Sequence, residues 1–543
     1  MKKVEATAIF LFALAAALLL GLLFCQELVL PAEMAAHLYA GELICQGRIP
    51  YLDFFDNASP GLLLFSAIAA FPGHLHLGLH PILVYKLFFY LLFLLSSILV
   101  FKLAQVGSFK YFERAALCYL PFATGVFLLS FLPDFAHENL LFAVLLLPYL
   151  LLRLSGEPVK TSSPLWIVSF VLFSISVSVD PLFFLFYLCF ELSLFVLRRA
   201  KFEKQFAASA LLYPLTYLLL LAALPGQILR HYYERVLLVN LASFIQFNEY
   251  LYWVDKSPDR RDLIYLFVLL LTASSFALGA STLTTSFVFL SALGFAYYLC
   301  TVGLLTGAAL PMLYFAMLAF LVSLMRGLFL LSRRLHWRMS GKVLALLDRR
   351  VLLVSTVLVF ALSIALFFGS QFSLAPLGYK LYGRQWDLAY FSSTIEKYSE
   401  PGDRVAVFSY QARPGYPLLT QLARPNGSHF LYLYPFLVFR HLEMLETWHR
   451  KPLEAFEEFT WQELSREIKE EPPELILITD GDIRETLDKK GISALIEEKY
   501  DFAGDCSMLS GTEMEQHAPF EYLGYQDAFR VMRLQEKFRR RSE

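Results

Sequence analysis

The sequence predicts an α-helical polytopic membrane protein with about eleven transmembrane helices, followed by a soluble C-terminal α/β domain. Three observations predict this fold class: the composition, the apolar stretches of the first 370 residues, and the alternating charge of the loops between them. The 543 residues are 57% hydrophobic and 17% charged, and the mean hydropathy is +0.55, which exceeds what soluble proteins show. The chain has no basic block suited to nucleic acid, so we expect no such partner.

Eleven stretches reach or approach the roughly 20 apolar residues that a helix needs to cross a bilayer. The run after Lys2 and Lys3 resembles a signal peptide, but it is long for one and no cleavage site follows, so we predict a retained first helix. The segment 61–72 is short and suits an interfacial or re-entrant helix better than a span. The predicted spans are 6–26, 83–101, 115–132, 139–153, 164–179, 182–197, 206–224, 263–280, 285–303, 304–325 and 351–370.

The loops alternate in their content of lysine and arginine. One set of segments holds 18 basic residues, whereas the opposite loops hold six. The first set includes the N-terminus, the loop after the second span and the stretch 326–350. Because cytoplasmic loops carry the excess of positive charge, the first set is predicted to be cytoplasmic. The N-terminus is therefore expected inside, and the tail outside, which is the periplasm if the membrane is a bacterial inner membrane.

The chain divides by composition into a membrane domain, 1–375, and an extracytoplasmic domain, 376–543. The second part is rich in charge, and three short apolar runs in it read as buried strands: 405–409, 429–434 and 475–479. Amphipathic stretches such as 436–450 and 481–498 are expected to be helices. No glycine-rich phosphate loop follows these strands, which argues against a nucleotide site.

The first outer loop, residues 27–61, carries five acids and one base beside the membrane. Residues 33–46 have helical spacing, so Glu33 and His37 share one face of a helix that Gly47 is placed to end. An acidic cluster at this position repels itself and favours a functional reading. A carboxylate there could deprotonate an acceptor hydroxyl, and others could hold a divalent metal such as Mg or Mn.

The alternative for this loop is a solvated segment in which Asp53 and Asp56 only start turns. We predict Glu33, Asp53 and Asp56 as catalytic residues, with metal ligands left open. Arg48 and Asn57 of the same loop are predicted to bind substrate, together with His37.

Two further outer loops supply candidate substrate-binding residues. His137 and Glu138 open a span, where an acid is also favoured simply by the helix dipole. Arg230 and Arg235 could hold a lipid-linked phosphate, although snorkelling from the end of a span is an ordinary role for such arginines.

The most specific motif of the first outer loop is the stretch Gln46-Gly-Arg-Ile-Pro-Tyr-Leu-Asp-Phe-Phe-Asp-Asn-Ala-Ser-Pro60. Through this stretch the chain resembles the GT-C superfamily of integral-membrane glycosyltransferases, which includes protein O-mannosyltransferases and lipid A aminoarabinose transferases. His137-Glu138 at a helix start, the Asp180-Pro-Leu-Phe-Phe stretch with Glu191, and the plan of many spans before an outer domain add weaker support. The resemblance covers roughly residues 6–325.

The resemblance implies an enzyme that takes a sugar from a polyprenyl-phosphate carrier and inverts its anomeric centre. The implied catalytic base is the acid early in the first outer loop, which is Glu33 here. The chain departs from relatives in having Ala32 before that acid and Ser59 in place of the first proline of a pair. Its implied partners are the lipid-linked sugar donor, a lipid, glycan or protein acceptor, and membrane lipids.

Two other classes of function remain open from the sequence. A transporter or flippase usually has polar groups at mid-membrane, whereas the acids here gather at one face. A non-catalytic protein of envelope assembly is kept open by the departure at Ala32.

Overall fold

The structure is a computed structural model of the chain. It describes residues 2–25, 30, 32–74, 80–107, 109–130, 137–155, 163–179, 183–184, 187–192, 226–240, 282–301, 310–336, 391–410, 412, 415–439, 450–479, 482–506 and 529–536. The predicted domain boundary at 375 and the predicted spans 206–224, 263–280 and 351–370 lie outside these residues.

The chain forms two compact units, each assembled from separate segments. The first unit contains Met1–Cys25, Lys86–Leu220 and Phe247–Phe372. The second contains Gln26–Tyr85, Leu221–Gln246 and Ser373–Glu543. The first outer loop of the sequence prediction therefore lies in the same unit as the C-terminal residues.

The helices before the C-terminal region follow the apolar stretches of the sequence. They are α1 Lys2–Cys25, α2 Ala32–Cys45, α3 Pro60–His74, α4 Pro81–Val106, α5 Tyr111–Ser130, α6 Glu138–Leu154, α7 Pro164–Val179, α8 Gly226–His231 with a π-helical turn Tyr232–Leu237, α9 Thr282–Thr301 and α10 Leu310–His336.

Three described helices are long and apolar enough to cross a membrane, over Val4–Phe24, Pro81–Val106 and Tyr111–Leu129. Each coincides with a predicted span. Shorter apolar helices cover Pro60–Gly73 and Pro164–Ser178, among others. With the apolar composition, these helices make the chain a membrane protein.

Helices of the first unit are joined by hydroxyl groups that bond across the apolar interface. Ser96 of α4 donates to the carbonyl of Val144 in α6 at 2.8 Å, and Ser176 of α7 donates to the carbonyl of Phe142 at 2.9 Å. Small hydroxylated residues suit membrane helix contacts because they let helices approach closely while their polar groups stay bonded.

One buried ion pair links helix α6 to the segment around Glu191. Arg153 near the end of α6 donates from Nε to Glu191 Oε1 at 2.8 Å and from Nη2 to Oε2 at 3.0 Å. Both side chains are almost fully buried. This two-bond geometry offsets the cost of removing two charges from water, so the pair fixes the segment around residue 191 against α6.

The second unit contains a four-stranded mixed sheet in the order β1-β2-β4-β3. Its strands are β1 Val405–Phe408, β2 Leu475–Thr479, β3 Tyr500–Cys506 and β4 Phe529–Leu534. β1 and β2 are parallel, whereas β4 is antiparallel to both β2 and β3. The helices of this region are α11 Gly415–Gln421, α12 Pro435–Phe439, α13 Arg450–Glu470, α14 Asp482–Lys489 and α15 Ile492–Lys499, and residues 391–398 are also helical.

The strand predictions for 405–409 and 475–479 are confirmed, but the prediction for 429–434 is wrong. That segment is buried, yet it makes only an isolated bridge between Phe430 and Phe55. Phe430 contacts Phe55 of the first outer loop, and His429 contacts Phe459 of α13. An apolar run predicts burial, and here burial came without a sheet partner.

Helices α2 and α3 approach each other closely in the second unit. A Cβ atom added at Gly41 would lie 2.5 Å from the carbonyl carbon of Ser66. The absence of a side chain at this position is therefore what allows the contact. The predicted helix at 33–46 and the short helix at 61–72 are both present, as α2 and α3.

Candidate functional site

Within the first outer loop, helix α2 is followed by a glycine. Gly47 has φ +87°, and its N–H donates to the carbonyl of Ile44 at 2.9 Å. This left-handed residue stops the helix, as the sequence predicted. The chain then turns, because Asp53 accepts a hydrogen bond from the N–H of Ile49 at 2.7 Å.

Tyr51 holds this loop from within. It is a non-glycine residue with φ +64°, a conformation that costs roughly 1 kcal/mol. The side chain is fully buried, and its hydroxyl donates to the carbonyl of Ala58 at 2.7 Å. Its ring also contacts Tyr232, with centroids 5.6 Å apart. These contacts offset the backbone strain, which is typical of loops that hold functional groups.

A buried pair of ionisable groups lies between α2 and this loop. Nδ1 of His37 is 2.9 Å from Oδ2 of Asp56, and Asp56 has no exposed surface. The other carboxylate oxygen accepts from the N–H of Ala58 at 2.8 Å. A buried carboxylate is costly unless it is bonded in this way, so the pair fixes the loop relative to α2.

Asn57 follows Asp56 and is bound by two distant parts of the chain. Its backbone carbonyl accepts from Asn240 Nδ2 at 3.2 Å, and its side-chain oxygen accepts from the hydroxyl of Tyr432. The side chain is half-buried. Residues from three separate segments of the second unit therefore converge on positions 56–58.

Arg235 ties the loop to α13. Its Nη1 donates to the carbonyl of Tyr51 at 2.9 Å, and its guanidinium carbon lies 3.9 Å from the ring centroid of Phe459. Burial lowers the pKa of Arg235. The cation–π contact and the hydrogen bond are structural, and phosphate binding by Arg235 stays a prediction.

A second polar cluster lies on α2 beside α11. Burial raises the pKa of Glu42 to about 7, and its Oε1 has no hydrogen-bond partner among the described residues. Tyr39 accepts from the N–H of Asn426 at 2.9 Å, and its ring lies 5.6 Å from that of Tyr416. Burial raises the pKa of Tyr416 far above its usual range, and the charges of Tyr39, Asp56 and Glu42 add to this effect. Tyr416 is thus within electrostatic reach of these three groups.

A third cluster joins residues 428–429 to α13. Glu467 accepts from Ser428 Oγ at 2.9 Å and from the N–H of His429, while burial raises the pKa of Glu467 to about 7. Burial also lowers the pKa of His429 to about 4. The imidazole is therefore neutral at neutral pH, and this cluster supports the segment that contacts Asn57.

The structure brings together only some of the predicted site residues. His37, Asp56 and Asn57 meet as described, and Glu33 is half-buried in the first turn of α2. Asp53 and Arg48 are exposed. Arg230 is also exposed and pairs with Glu234 at 2.9 Å.

His137 and Glu138 belong to the first unit. His137 caps α6, since its side chain accepts from the N–H of Asn139, and Glu138 is the first residue of that helix. Glu138 therefore lies where the helix dipole favours an acid, which is an ordinary structural role. Substrate binding by His137 or Glu138 stays a prediction.

Within the described segments, no group of three histidine, cysteine or acidic side chains is arranged to hold a metal ion. His37 and Asp56 give at most two ligands. A divalent metal in this loop would need ligands from the substrate or from water, and the metal requirement stays a prediction.

Sequence reasoning gave no role to Glu42, Tyr39, Tyr416 or Tyr432. Glu42 was visible as one of the five acids of the loop. The tyrosines had no local signal, because Tyr416 and Tyr432 lie more than 350 positions from the loop that they contact.

No protein-family model matches the sequence, and no curated protein is significantly similar to it. Among solved structures, the fold is similar to the crystal structure of ArnT from Cupriavidus metallidurans bound to undecaprenyl phosphate. The identity is 12% and the TM-score 0.42, over 97% of this chain and 98% of that chain. At these values the likeness gives no residue a role.

Proposed function

We propose that this protein is an inverting membrane glycosyltransferase. It moves a sugar from a polyprenyl-phosphate carrier to a lipid, glycan or protein acceptor on the outer face of the membrane. The apolar helices, the acid-bearing first outer loop and the sequence resemblance support this proposal. The proposed orientation has the N-terminus in the cytoplasm and the C-terminal domain in the periplasm of a bacterial cell.

One observation carries the proposal: Asp56 forms a buried pair with His37, which lies on the face of α2 that also bears Glu33. Positions 33 and 37 are one helical turn apart, so their side chains lie on the same side of α2. Burying an ionisable pair in a loop costs free energy that a merely solvated segment would avoid. Ionisable groups placed in this way near a membrane are usually functional.

In the proposed reaction, Glu33 accepts the proton of the acceptor hydroxyl. The oxygen electron pair forms the new bond to the anomeric carbon while the bond from that carbon to the phosphate oxygen breaks. Because attack comes from the side opposite the phosphate, the anomeric configuration inverts. General base catalysis contributes typically 10²–10⁴-fold.

The other residues of the loop are proposed to build the pocket. Asp56 is held by His37 and so fixes the chain between positions 53 and 58, while Asp53 stays accessible for a metal or a substrate hydroxyl. Arg48 is exposed in the same loop and is the proposed countercharge for the leaving phosphate.

The test is sugar transfer from purified polyprenyl-phospho-sugars by the full chain in lipid nanodiscs. We expect Glu33→Gln to lower kcat by about a hundredfold or more, since the amide cannot accept the proton. The matched control is Glu454→Gln on α13, an exposed acid whose loss is expected to change nothing. Full activity of Glu33→Gln at normal membrane levels would remove Glu33 as the base. No transfer by the wild type with any donor would favour a transporter or an assembly protein.

A further inference from the structure

The segment 429–432 runs beside residues 55–57 in a parallel direction. The N–H of Phe55 donates to the carbonyl of His429 at 2.7 Å, and the N–H of Leu431 donates to the carbonyl of Phe55 at 3.2 Å. In extended chains, side chains two positions apart point to the same side. The bridge of Phe55 with Phe430 therefore places Tyr432 beside Asn57.

The polar groups around Asn57 are bonded in an ordered way. Asp56 is bonded to His37, and the carbonyl of Ala58 accepts from Tyr51. The backbone carbonyl of Asn57 accepts from Asn240. The backbone on both sides of position 57 is thus fixed, and the amide group is left to rotate about its own side-chain bonds.

The hydroxyl of Tyr432 removes that freedom. It donates to Oδ1 of Asn57, so the amide oxygen faces the protein and the NH₂ group faces away from Tyr432. No residue in the described part of the chain accepts a hydrogen bond from that NH₂ group. Since the side chain is half-buried, its two N–H donors are open to a ligand as far as the described residues are concerned.

We propose that Tyr432 is a positioning residue that orients the Asn57 amide so that its N–H groups donate to a phosphate oxygen of the substrate. The amide in this orientation offers donors only, which suits an oxygen that carries negative charge. The carboxylate of the neighbouring Asp56 is already bonded to His37 and to the N–H of Ala58. This inference rests on the proposed function and assigns the phosphate of the lipid-linked donor to this site.

The experiment measures binding of undecaprenyl phosphate to the purified full chain by native mass spectrometry, with inorganic phosphate as a second ligand. The variants are Asn57→Asp, Tyr432→Phe and their combination. Asn57→Asp keeps the acceptor for Tyr432 but replaces the donors by a negative oxygen. Tyr434→Phe, another buried tyrosine of the same segment, is the matched control.

We expect Asn57→Asp to weaken undecaprenyl phosphate binding at least about tenfold, since a hydrogen bond to a charged group is lost and repulsion replaces it. Tyr432→Phe should weaken binding about threefold, because the amide must then be ordered on binding. Tyr432→Phe should add no further loss in the Asn57→Asp background. The control should bind as the wild type does.

Several results would overturn the inference. One is equal binding by the wild type and Asn57→Asp, and another is an equal loss in Tyr432→Phe and Tyr434→Phe. A further loss from Tyr432→Phe in the Asn57→Asp background would show a general structural role. Another is that the variants weaken binding of inorganic phosphate as they weaken binding of undecaprenyl phosphate. The site would then bind phosphate without recognising the lipid. If the wild type binds undecaprenyl phosphate as expected but transfers no sugar, the inference stands and the proposed function fails.

Discussion

The buried carboxyl of Glu42 makes the stability of this protein depend on pH in a way that one substitution isolates. Its Oε1 has no partner in the described part of the chain, and burial raises its pKa from 4.5 to about 7. The folded state therefore binds the proton more tightly than the unfolded state does. The free energy of unfolding falls as pH rises between about 4.5 and 7, and the full cost is present above that range.

The size of the effect follows from the shift. A rise from 4.5 to about 7, at about 1.4 kcal/mol per pH unit, corresponds to about 3 kcal/mol. The Glu42→Gln variant has no carboxyl group to ionise, so its folded state does not carry the free-energy cost of a buried charge at this position. The buried amide has its own cost, but that cost is the same at every pH. The stability of Glu42→Gln relative to wild type should therefore increase by about 3 kcal/mol from pH 4 to pH 8.

The assay is the apparent Tm of wild type and variant in the same detergent at several pH values. We expect the difference between them to move by several degrees in favour of the variant as pH rises. Glu454→Gln removes an exposed acid paired with Arg450 and should show no such trend. A difference that stays constant with pH would refute the reasoning, because it would mean that Glu42 titrates normally in the folded protein.

Two further substitutions test contacts that hold the candidate site. Gly41→Ala should lower the free energy of unfolding by about 1–3 kcal/mol and lower Tm, because the new Cβ would lie 2.5 Å from the Ser66 carbonyl carbon. The control is Gly21→Ala, where nothing lies within 4 Å, and it should leave Tm unchanged or slightly raised. Equal effects of the two substitutions on Tm would contradict a close contact between α2 and α3. Arg235→Lys should lower the free energy of unfolding by about 1–2 kcal/mol, because the planar contact with Phe459 and the hydrogen bond to the Tyr51 carbonyl are lost. The same Tm assay measures this loss. Arg230→Lys, at an exposed arginine, should cost less than about 0.5 kcal/mol, and a matching loss there would show that Arg235 has no special role.

Local signals predicted the elements that carry the candidate site. Helical spacing and the glycine after it gave α2 and its end at Gly47. The same loop contained Asp56 and His37, which the structure pairs. The strand predicted at 429–434 was wrong, because an apolar run indicates burial without saying which partner covers it. Strands β3 and β4 were not predicted, since their exposed and charged residues broke the pattern of a buried strand.

The sequence by itself determined that this is a membrane protein, where its first long helices lie, and that acids gather in one loop. Those properties depend on composition and on spacing over a few turns of helix. Only the tertiary structure decided that Tyr51, Arg235, Asn240 and Tyr432 hold that loop, and that Oε1 of Glu42 is buried with no hydrogen-bond partner among the described residues. Such neighbours are set by how distant segments pack, because a hydrogen bond or a burial cost depends on proximity in space and leaves no periodic trace along the chain.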